Sequence, residues 1–467
     1  MNGISTSGDN MQKHYLPFSV KFVFAIGSFG PTILVSAISF FLLFFYTDVM
    51  LVPPALASTA LLVSKIWDIV NDPLFGWISD RTQSKHGRRR VFLIYGAFPL
   101  AITSFLLWAM PKGLSTGWAF AWIAISYILF DTFFTITNVP LSAMAPELAK
   151  GYDQRTDLMT FTSFGAILGY IAGSVMMPTI VGGFEDANQG YLVAGAIFGA
   201  IVGISIAIVA WKIKEPGEGK SRISRLPLFE ALRSTFRNGP FMLLMIAFAL
   251  ARLSFTLLSA VAPYFITYQL GAPDRVRFLI FIMLLVIGVC VFFWKRIANR
   301  WSKGIAYASG LAIVAVSVGI SFFIETGQMG FAIPVFIVTG IGLSAHWVIP
   351  WAMIPDVIEY DQVKTGERRE GMFYGVYGLI DKISRTLGIV TIGWILDAYG
   401  YIPNVEQTTR SLLGIRLMFG PISAGLLLLA VPFLLLYPIT RDSHANVRRQ
   451  LGDISGEQHG ATREECE

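Results

Sequence analysis

Four polar residues crowd one short apolar stretch. Lys65, Asp68, Asn71 and Asp72 follow one another at spacings of three, three and one, so on a helix Lys65, Asp68 and Asp72 share a face and Asn71 lies beside them. Two carboxylates one helical turn apart, with an amide oxygen between, offer the oxygen ligands that a small hard cation such as sodium takes. One of them can instead hold a proton. Two close anions do not both ionise cheaply, so sodium and proton compete for the same group. The plainer alternative is that Lys65 and Asp68 neutralise each other and Asp72 begins a loop. Asp131, Arg252, His346 and Arg385 also fall within apolar stretches. A guanidinium makes paired hydrogen bonds to a carboxylate or sulfonate, so Arg252 and Arg385 could hold such a group. Pairing with Asp131 or Asp381 is the favoured reading for both, and His346 reads as a hydrogen-bonded core residue.

These charges matter because of what surrounds them. Of 467 residues, 54% are hydrophobic and 14% charged, against about 25% charged in a soluble domain. Apolar runs recur near 20–46, 55–78, 91–110, 118–143, 158–181, 190–211, 241–268, 278–294, 304–324, 330–354, 371–398 and 412–438. Runs of about 20 residues suit membrane-spanning helices, which excludes a soluble enzyme. A charge at the centre of such a helix costs about 2.5–3.5 kcal/mol on insertion scales, so it is a functional candidate by default. No nucleophile with a base, phosphate loop or metal-spaced His and Cys cluster argues for catalysis, and no cofactor is expected beyond a coupling ion, Na+ or H+. Cys290 and Cys466 stand far apart and suggest neither a disulfide framework nor a metal site.

The expected architecture is an all-α integral membrane protein with twelve transmembrane helices in two pseudo-symmetric six-helix bundles. It comprises an N-terminal segment (1–19), a first bundle (20–211), a central loop (212–240), a second bundle (241–438) and a flexible tail (439–467). No signal peptide is evident ahead of the first run. The net charge of +6 would suit nucleic acid in a soluble protein, but its distribution points elsewhere. Arg81, Lys85 and Arg88–Arg90 follow the second run, the central loop is basic, and Lys295, Arg296, Arg300 and Lys303 follow the eighth. Alternate loops are poor in base, with Arg275 and Arg277 as the exception. The positive-inside rule then places both termini and the central loop in the cytoplasm, of a plasma or inner membrane. A faint repeat joins the halves, Gly76, Asp80, Arg81 and Gly87 after the second run answering Ala298, Asn299, Arg300 and Gly304 after the eighth. Duplicated halves with a substrate near the midplane are how many secondary transporters are built.

The stretch from Gly76 through Asp80 and Arg81 to Arg90 resembles the cytoplasmic loop motif of the major facilitator superfamily, which implies gating roles for Asp80 and Arg81. Ile66–Pro73 resembles the signature of the glycoside-pentoside-hexuronide:cation symporters, the melibiose permease-like family. Asn138, Val139 and Pro140 match its fourth-helix pattern, and Ala352–Tyr360 with Lys364, Thr365, Gly366, Arg369, Glu370 and Gly371 match the end of its tenth helix.

The resemblance implies a cation site of Asp68, Asn71, Asp72 and Thr135. It implies substrate contacts from Asn138, Trp347 and Lys382, and coupling through Lys65 and Lys382. Thr32, Asn138 and Ser163 replace the acids and the arginine that the family uses for melibiose, so melibiose itself is not expected. The implied function is cation-coupled symport of a sugar-like solute, such as a glycoside, pentoside, hexuronide or related anionic sugar. The expected partners are that solute and the lipid bilayer, with a monomeric protein and no nucleic acid. Two other readings stay open: a cation-dependent lysophospholipid transporter, which would share Asp68, Asp72 and Lys382, and a non-transporting membrane receptor or scaffold.

Overall fold

The computed structural model describes residues 16–148, 152–213, 237–365 and 369–440, with a few positions between 443 and 450. Most of the expected N-terminal segment, most of the central loop and the end of the tail lie outside the described residues.

The described residues form helices and no strands. α1 (Phe18–Ala37) runs on through π turns at Ile38–Leu42 and Phe45–Val49. There follow α2 (Pro54–Arg81), α3 (Arg90–Leu106), α4 (Thr116–Leu148), α5 (Tyr152–Val181) and α6 (Ala187–Lys212). The second set is α7 (Gly239–Tyr264), α8 (Val276–Arg300), α9 (Lys303–Ser321), α10 (Met329–Thr365) and α11 (Glu370–Ala398). α12 (Thr409–Leu417) continues through a π turn into α13 (Ser423–Leu435). Nine of these stretches are long and apolar enough to cross a membrane, and α3 is a shorter apolar helix. α2 and α11 are not among the nine; they carry Lys65, Asp68 and Asp72, and Asp381, Lys382 and Arg385.

Local chemistry sets several helix starts. Pro54 opens α2 at a position where its missing N–H is no loss. Asp186, Asn238 and Ser302 cap α6, α7 and α9, each accepting from a backbone N–H of the first turn. Large apolar side chains line the outside, among them Trp118, Trp211, Phe292 and Phe323, each at least 70% exposed. A surface of that kind suits lipid tails rather than water.

Helix packing divides into two sets. α1 packs on α5 and α6, α3 on α4 and α6, and α2 on α4; α10 packs on α8 and α9, while α13 lies against α7 and α9, and α7 against α11. Small residues bring backbones close, as at Gly165 and Gly173 of α5, where an added Cβ would meet the carbonyls of Ala25 and Ile33 on α1. The two sets meet where α2 crosses α11, α5 crosses α8, and α7 meets the first π turn after α1. At the first crossing Gly393 lies against Ser58 and the carbonyl of Pro54, with no room for a Cβ. That close approach brings the middle of α11 onto the middle of α2.

Candidate cation and solute site

A cavity of about 280 Å³ lies at this crossing. One wall comes from α2 and α4 and includes Lys65, Asp68, Asp72, Tyr127, Asp131, Thr135 and Asn138; the other comes from α7 and α11 and includes Arg252, Phe255, Asp381, Lys382 and Arg385. The helical spacing of Lys65, Asp68 and Asp72 therefore aims all three at one space. Asn71 is fully buried beside them; its amide donates to the carbonyl of Asp131 on α4 at 3.2 Å, and its Oδ1 has no protein partner.

Lys382 joins the two walls. Its Nζ lies 2.7 Å from Asp68 Oδ1 and 2.5 Å from Asp72 Oδ2, and it donates to the Asp68 carbonyl at 3.1 Å. The Thr135 hydroxyl donates to Asp72 Oδ1 at 2.7 Å. Both oxygens of Asp72 are thus engaged, one by a hydroxyl and one by an ammonium. Asp68 is almost closed off, at 8% side-chain exposure, whereas Asp72 opens to the cavity at 38%.

Lys65 sits deeper in the same wall. Its Nζ is 3.3 Å from Asp68 Oδ2 and 3.3 Å from Asp131 Oδ1, and lies 4.8 Å from the centre of the Tyr127 ring. The loose, shared pairing leaves Asp131 Oδ2 buried without a partner. Sequence reasoning offered Asp131 as one of two partners for the arginines, whereas it pairs with Lys65. Tyr127 it missed, although a position one helical turn before Asp131 on the same face was the available signal.

The opposite wall holds a second cluster. Arg252 Nε lies 2.7 Å from Asp381 Oδ1, and Arg385 Nη2 lies 2.5 Å from Asp381 Oδ2. The favoured pairing of both arginines is present, but they share one carboxylate. Arg252 also lies 5.1 Å from the centre of the Phe255 ring. His346 is buried, with its Nδ1 2.7 Å from the Tyr307 hydroxyl and its ring stacked on Phe248.

Other expected residues stand apart from the cavity. Trp347 is not among the lining residues; it sits edge-on to Tyr170 at 5.0 Å and to Phe255 at 6.1 Å, with a buried indole N–H that has no protein partner. Thr32 bonds back to the carbonyl of Ser28 in its own helix. Arg81 is the exposed last residue of α2, and the side chain of Asp80 lies outside the described set. Lys303 and Asp356 pair at 2.6 Å, and His444 bonds Glu359 at 2.9 Å.

A polar seal ties the two helix sets together at the end of α1. The buried carboxylate of Asp48 accepts from the hydroxyls of Tyr268 and Tyr401, while Asn404 donates to the Asp48 carbonyl at 2.6 Å. Thr47 bonds the hydroxyl of Tyr264 at 2.7 Å. Burial pushes the Asp48 carboxyl up to about 6 against the donors around it. The sequence offered one hint of this seal, an acid in a loop without Lys or Arg.

The chain is similar to known proteins over most of its length. A family model described as MFS/sugar transport protein matches residues 23–441. The sodium-dependent lysophosphatidylcholine symporter 1 of Gallus gallus is 26% identical, over 95% of this chain and 90% of its own length. The isoprimeverose transporter of Lactiplantibacillus pentosus is 25% identical, over 88% of this chain and 86% of its own. The crystal structure of a D-xylose-proton symporter superposes with a TM-score of 0.68 at 15% identity, covering 91% of this chain and 98% of that one, and shares the fold. With charged groups from both helix sets meeting in one cavity and a family match over nearly its whole length, the chain belongs to the MFS/sugar transport protein family, and it is a transmembrane symporter of the glycoside-pentoside-hexuronide type rather than an enzyme.

Proposed function

We propose that the protein couples the downhill entry of Na+ or H+ at Asp68 and Asp72 to the uptake of a small sugar-like solute bound in the adjoining cavity. The observation that carries this reading is the position of Lys382, whose ammonium lies against both carboxylates from the other helix set. An ammonium and a coupling cation compete for the same pair of anions. When the cation binds, Lys382 is released, and the energy holding the two sets together at the midplane changes. Thr135 and Asn71 supply further oxygens beside the carboxylates. The two moving bodies in this reading are residues 20–211 and 241–438, and basic loops put both termini in the cytoplasm of the plasma or inner membrane. The Asp48 seal then faces outward, with the outer side closed.

The cavity size supports a small solute over a lysolipid. At about 280 Å³ it falls just below the roughly 300–1,000 Å³ usual for small-molecule sites, and a long acyl chain needs more. The sodium-dependent lysophosphatidylcholine relative keeps lipid as an arm of the test.

Thermal unfolding of the purified full-length protein with sugars, uronates and lysophosphatidylcholine, each with and without sodium, tests the proposal. Mutual enhancement by sodium and one solute is the expected result, since coupling is reciprocal. In proteoliposomes, Asp72→Asn should remove cation-driven uptake. Unchanged uptake with unchanged ion dependence would overturn the assignment.

A further inference from the structure

The charges of the cavity form a ledger by wall. Lys65, Asp68, Asp72 and Asp131 on the α2–α4 side carry a formal charge of −2; Arg252, Asp381, Lys382 and Arg385 on the α7–α11 side carry +2. The cavity is formally neutral when it holds nothing. Adding one monovalent cation to Asp68 and Asp72 makes it +1, with Lys382 released. An uncompensated charge near the membrane midplane is costly, so the loaded cavity favours a ligand that brings one negative charge.

The Arg252–Asp381–Arg385 cluster is where such a charge can sit. Each guanidinium presents five N–H donors in a planar fork, and together they face a single carboxylate from the same wall. Nε of Arg252 and Nε of Arg385 are both buried without a hydrogen-bond partner, although Arg252 Nε lies close to Asp381 in an unaligned ion contact. The Arg385 side chain is 39% exposed, open to the cavity. Phe255, stacked under Arg252, offers a ring to the carbon face of a solute.

We infer that Arg252 and Arg385 form an anion subsite that takes the carboxylate or sulfonate of a monoanionic polyhydroxylated solute, carried together with one monovalent cation. This rests on the symport reading above. Asp381 in this assignment holds the two guanidiniums side by side in the empty cavity, one on each carboxylate oxygen, and the ligand's anion competes with it for their free donors. A carboxylate and a sulfonate share this chemistry, being flat or tripodal oxygen acceptors that a guanidinium fork grips through two hydrogen bonds.

The experiment uses the purified full-length protein and paired probes: D-glucuronate and a 6-sulfonated glucose against D-glucose, each titrated with sodium and with choline at equal ionic strength. Expected is sodium-dependent binding of an anionic probe at least tenfold tighter than that of glucose. Arg385→Gln should weaken the anion at least tenfold while sodium still raises the melting temperature in the absence of solute, and Arg385→Lys should recover part of the loss. Asp381→Asn, which removes the competing carboxylate, should tighten anion binding several-fold, a gain that misfolding cannot imitate. Anion uptake into proteoliposomes should not respond to an imposed inside-negative potential, because one cation and one monoanion move no net charge.

Glucose bound as tightly as the anions, in a sodium-dependent manner, would overturn the subsite and leave the symport reading standing. Weaker anion binding in Asp381→Asn, or uptake accelerated by the potential, would also overturn it. Solute binding that responds neither to sodium nor to pH for any probe would instead overturn the symport reading beneath it.

Discussion

The two walls of the cavity use charge in opposite ways. On the α2–α4 wall one ammonium, Lys65, is shared by Asp68 and Asp131 at 3.3 Å each while Asp72 has no cation of its own wall within reach. On the α7–α11 wall two guanidiniums are shared by Asp381 at 2.7 and 2.5 Å, and Lys382 has no carboxylate of its own. Each wall is therefore under-compensated by itself, and Lys382 crosses to Asp68 and Asp72 to complete both. A static structural network would pair its charges within each helix set, where no movement disturbs them. Leaving the completing contact between sets makes the closure of the cavity depend on which cation fills the acidic wall.

Removing that contact should give the largest effect. Lys382→Met leaves Asp68 and Asp72 facing each other, and breaking one side of a buried pair costs about 3–5 kcal/mol. The lower end applies, because Asp72 is 38% exposed and partly screened. The sodium-free variant should melt well below the wild type, and sodium should restore much of the difference. A sodium-induced rise no greater than that of the wild type would show that Lys382 does not compete with the cation.

Asp131→Asn sharpens the contrast within the acidic wall. With Asp131 neutral, Lys65 turns wholly to Asp68 and lowers its attraction for a cation. Sodium affinity should fall by about threefold to tenfold, up to about 1.4 kcal/mol at room temperature, when followed by isothermal titration. Tighter sodium binding would mean that Asp131 competes with Asp68 for nothing.

The amino-acid sequence alone made much of this legible, and unevenly. Apolar runs gave the helices, since a membrane leaves a helix few ways to satisfy its backbone. Where boundaries shifted, as in α10, which continues to Thr365 rather than stopping near residue 354, the helix extends past the apolar run because hydropathy reports contact with lipid and not backbone form. The spacing of Lys65, Asp68 and Asp72 gave their shared face, because that is fixed within one helix. Contacts between helices were another matter. That Arg252 and Arg385 would share Asp381, while Lys65 would take Asp131, depends on how α7, α11, α2 and α4 are placed, and residue types allow several pairings. Lys382 meeting Asp68 and Asp72 came from family resemblance, and spacing contains no trace of a contact 314 residues apart.

The seal at Asp48 works differently from the cavity. The seal also ties the helix sets together, but with hydroxyls and an amide around one aspartate: Thr47, Tyr268 and Tyr401 on its carboxylate, Asn404 on its backbone carbonyl, and Tyr264 on Thr47. Its carboxyl is raised to about 6 from an ordinary value of 3.8, with burial as the main cause. The sealed state thus binds more protons than the open or unfolded state between those values, so its stability falls as pH rises through that window. Above about pH 6 the penalty is complete. Melting of the wild type relative to Asp48→Asn should therefore improve on acidification from pH 7.5 to 5, by up to about tenfold in the equilibrium. A constant difference across that range would mean that Asp48 carries no such shift.

The smallest effect is expected at Trp347. A tryptophan in contact with solute would lose much of its binding on substitution, as aromatic anchors do. Here Trp347 stands behind Tyr170 and Phe255, in edge-on contact with both and outside the cavity lining. Trp347→Phe preserves an edge-to-face partner for Tyr170, a contact worth about 0.5–1.5 kcal/mol, and removes an indole N–H that has no protein acceptor. The substitution should change solute affinity by less than about threefold, a free-energy difference of roughly 0.6 kcal/mol. Phe255→Ala, which exposes the face under Arg252, should change it more. The reverse order would bring Trp347 into the site in the solute-bound state, through a rearrangement of Tyr170 and Phe255 that opens the α7–α11 wall to it.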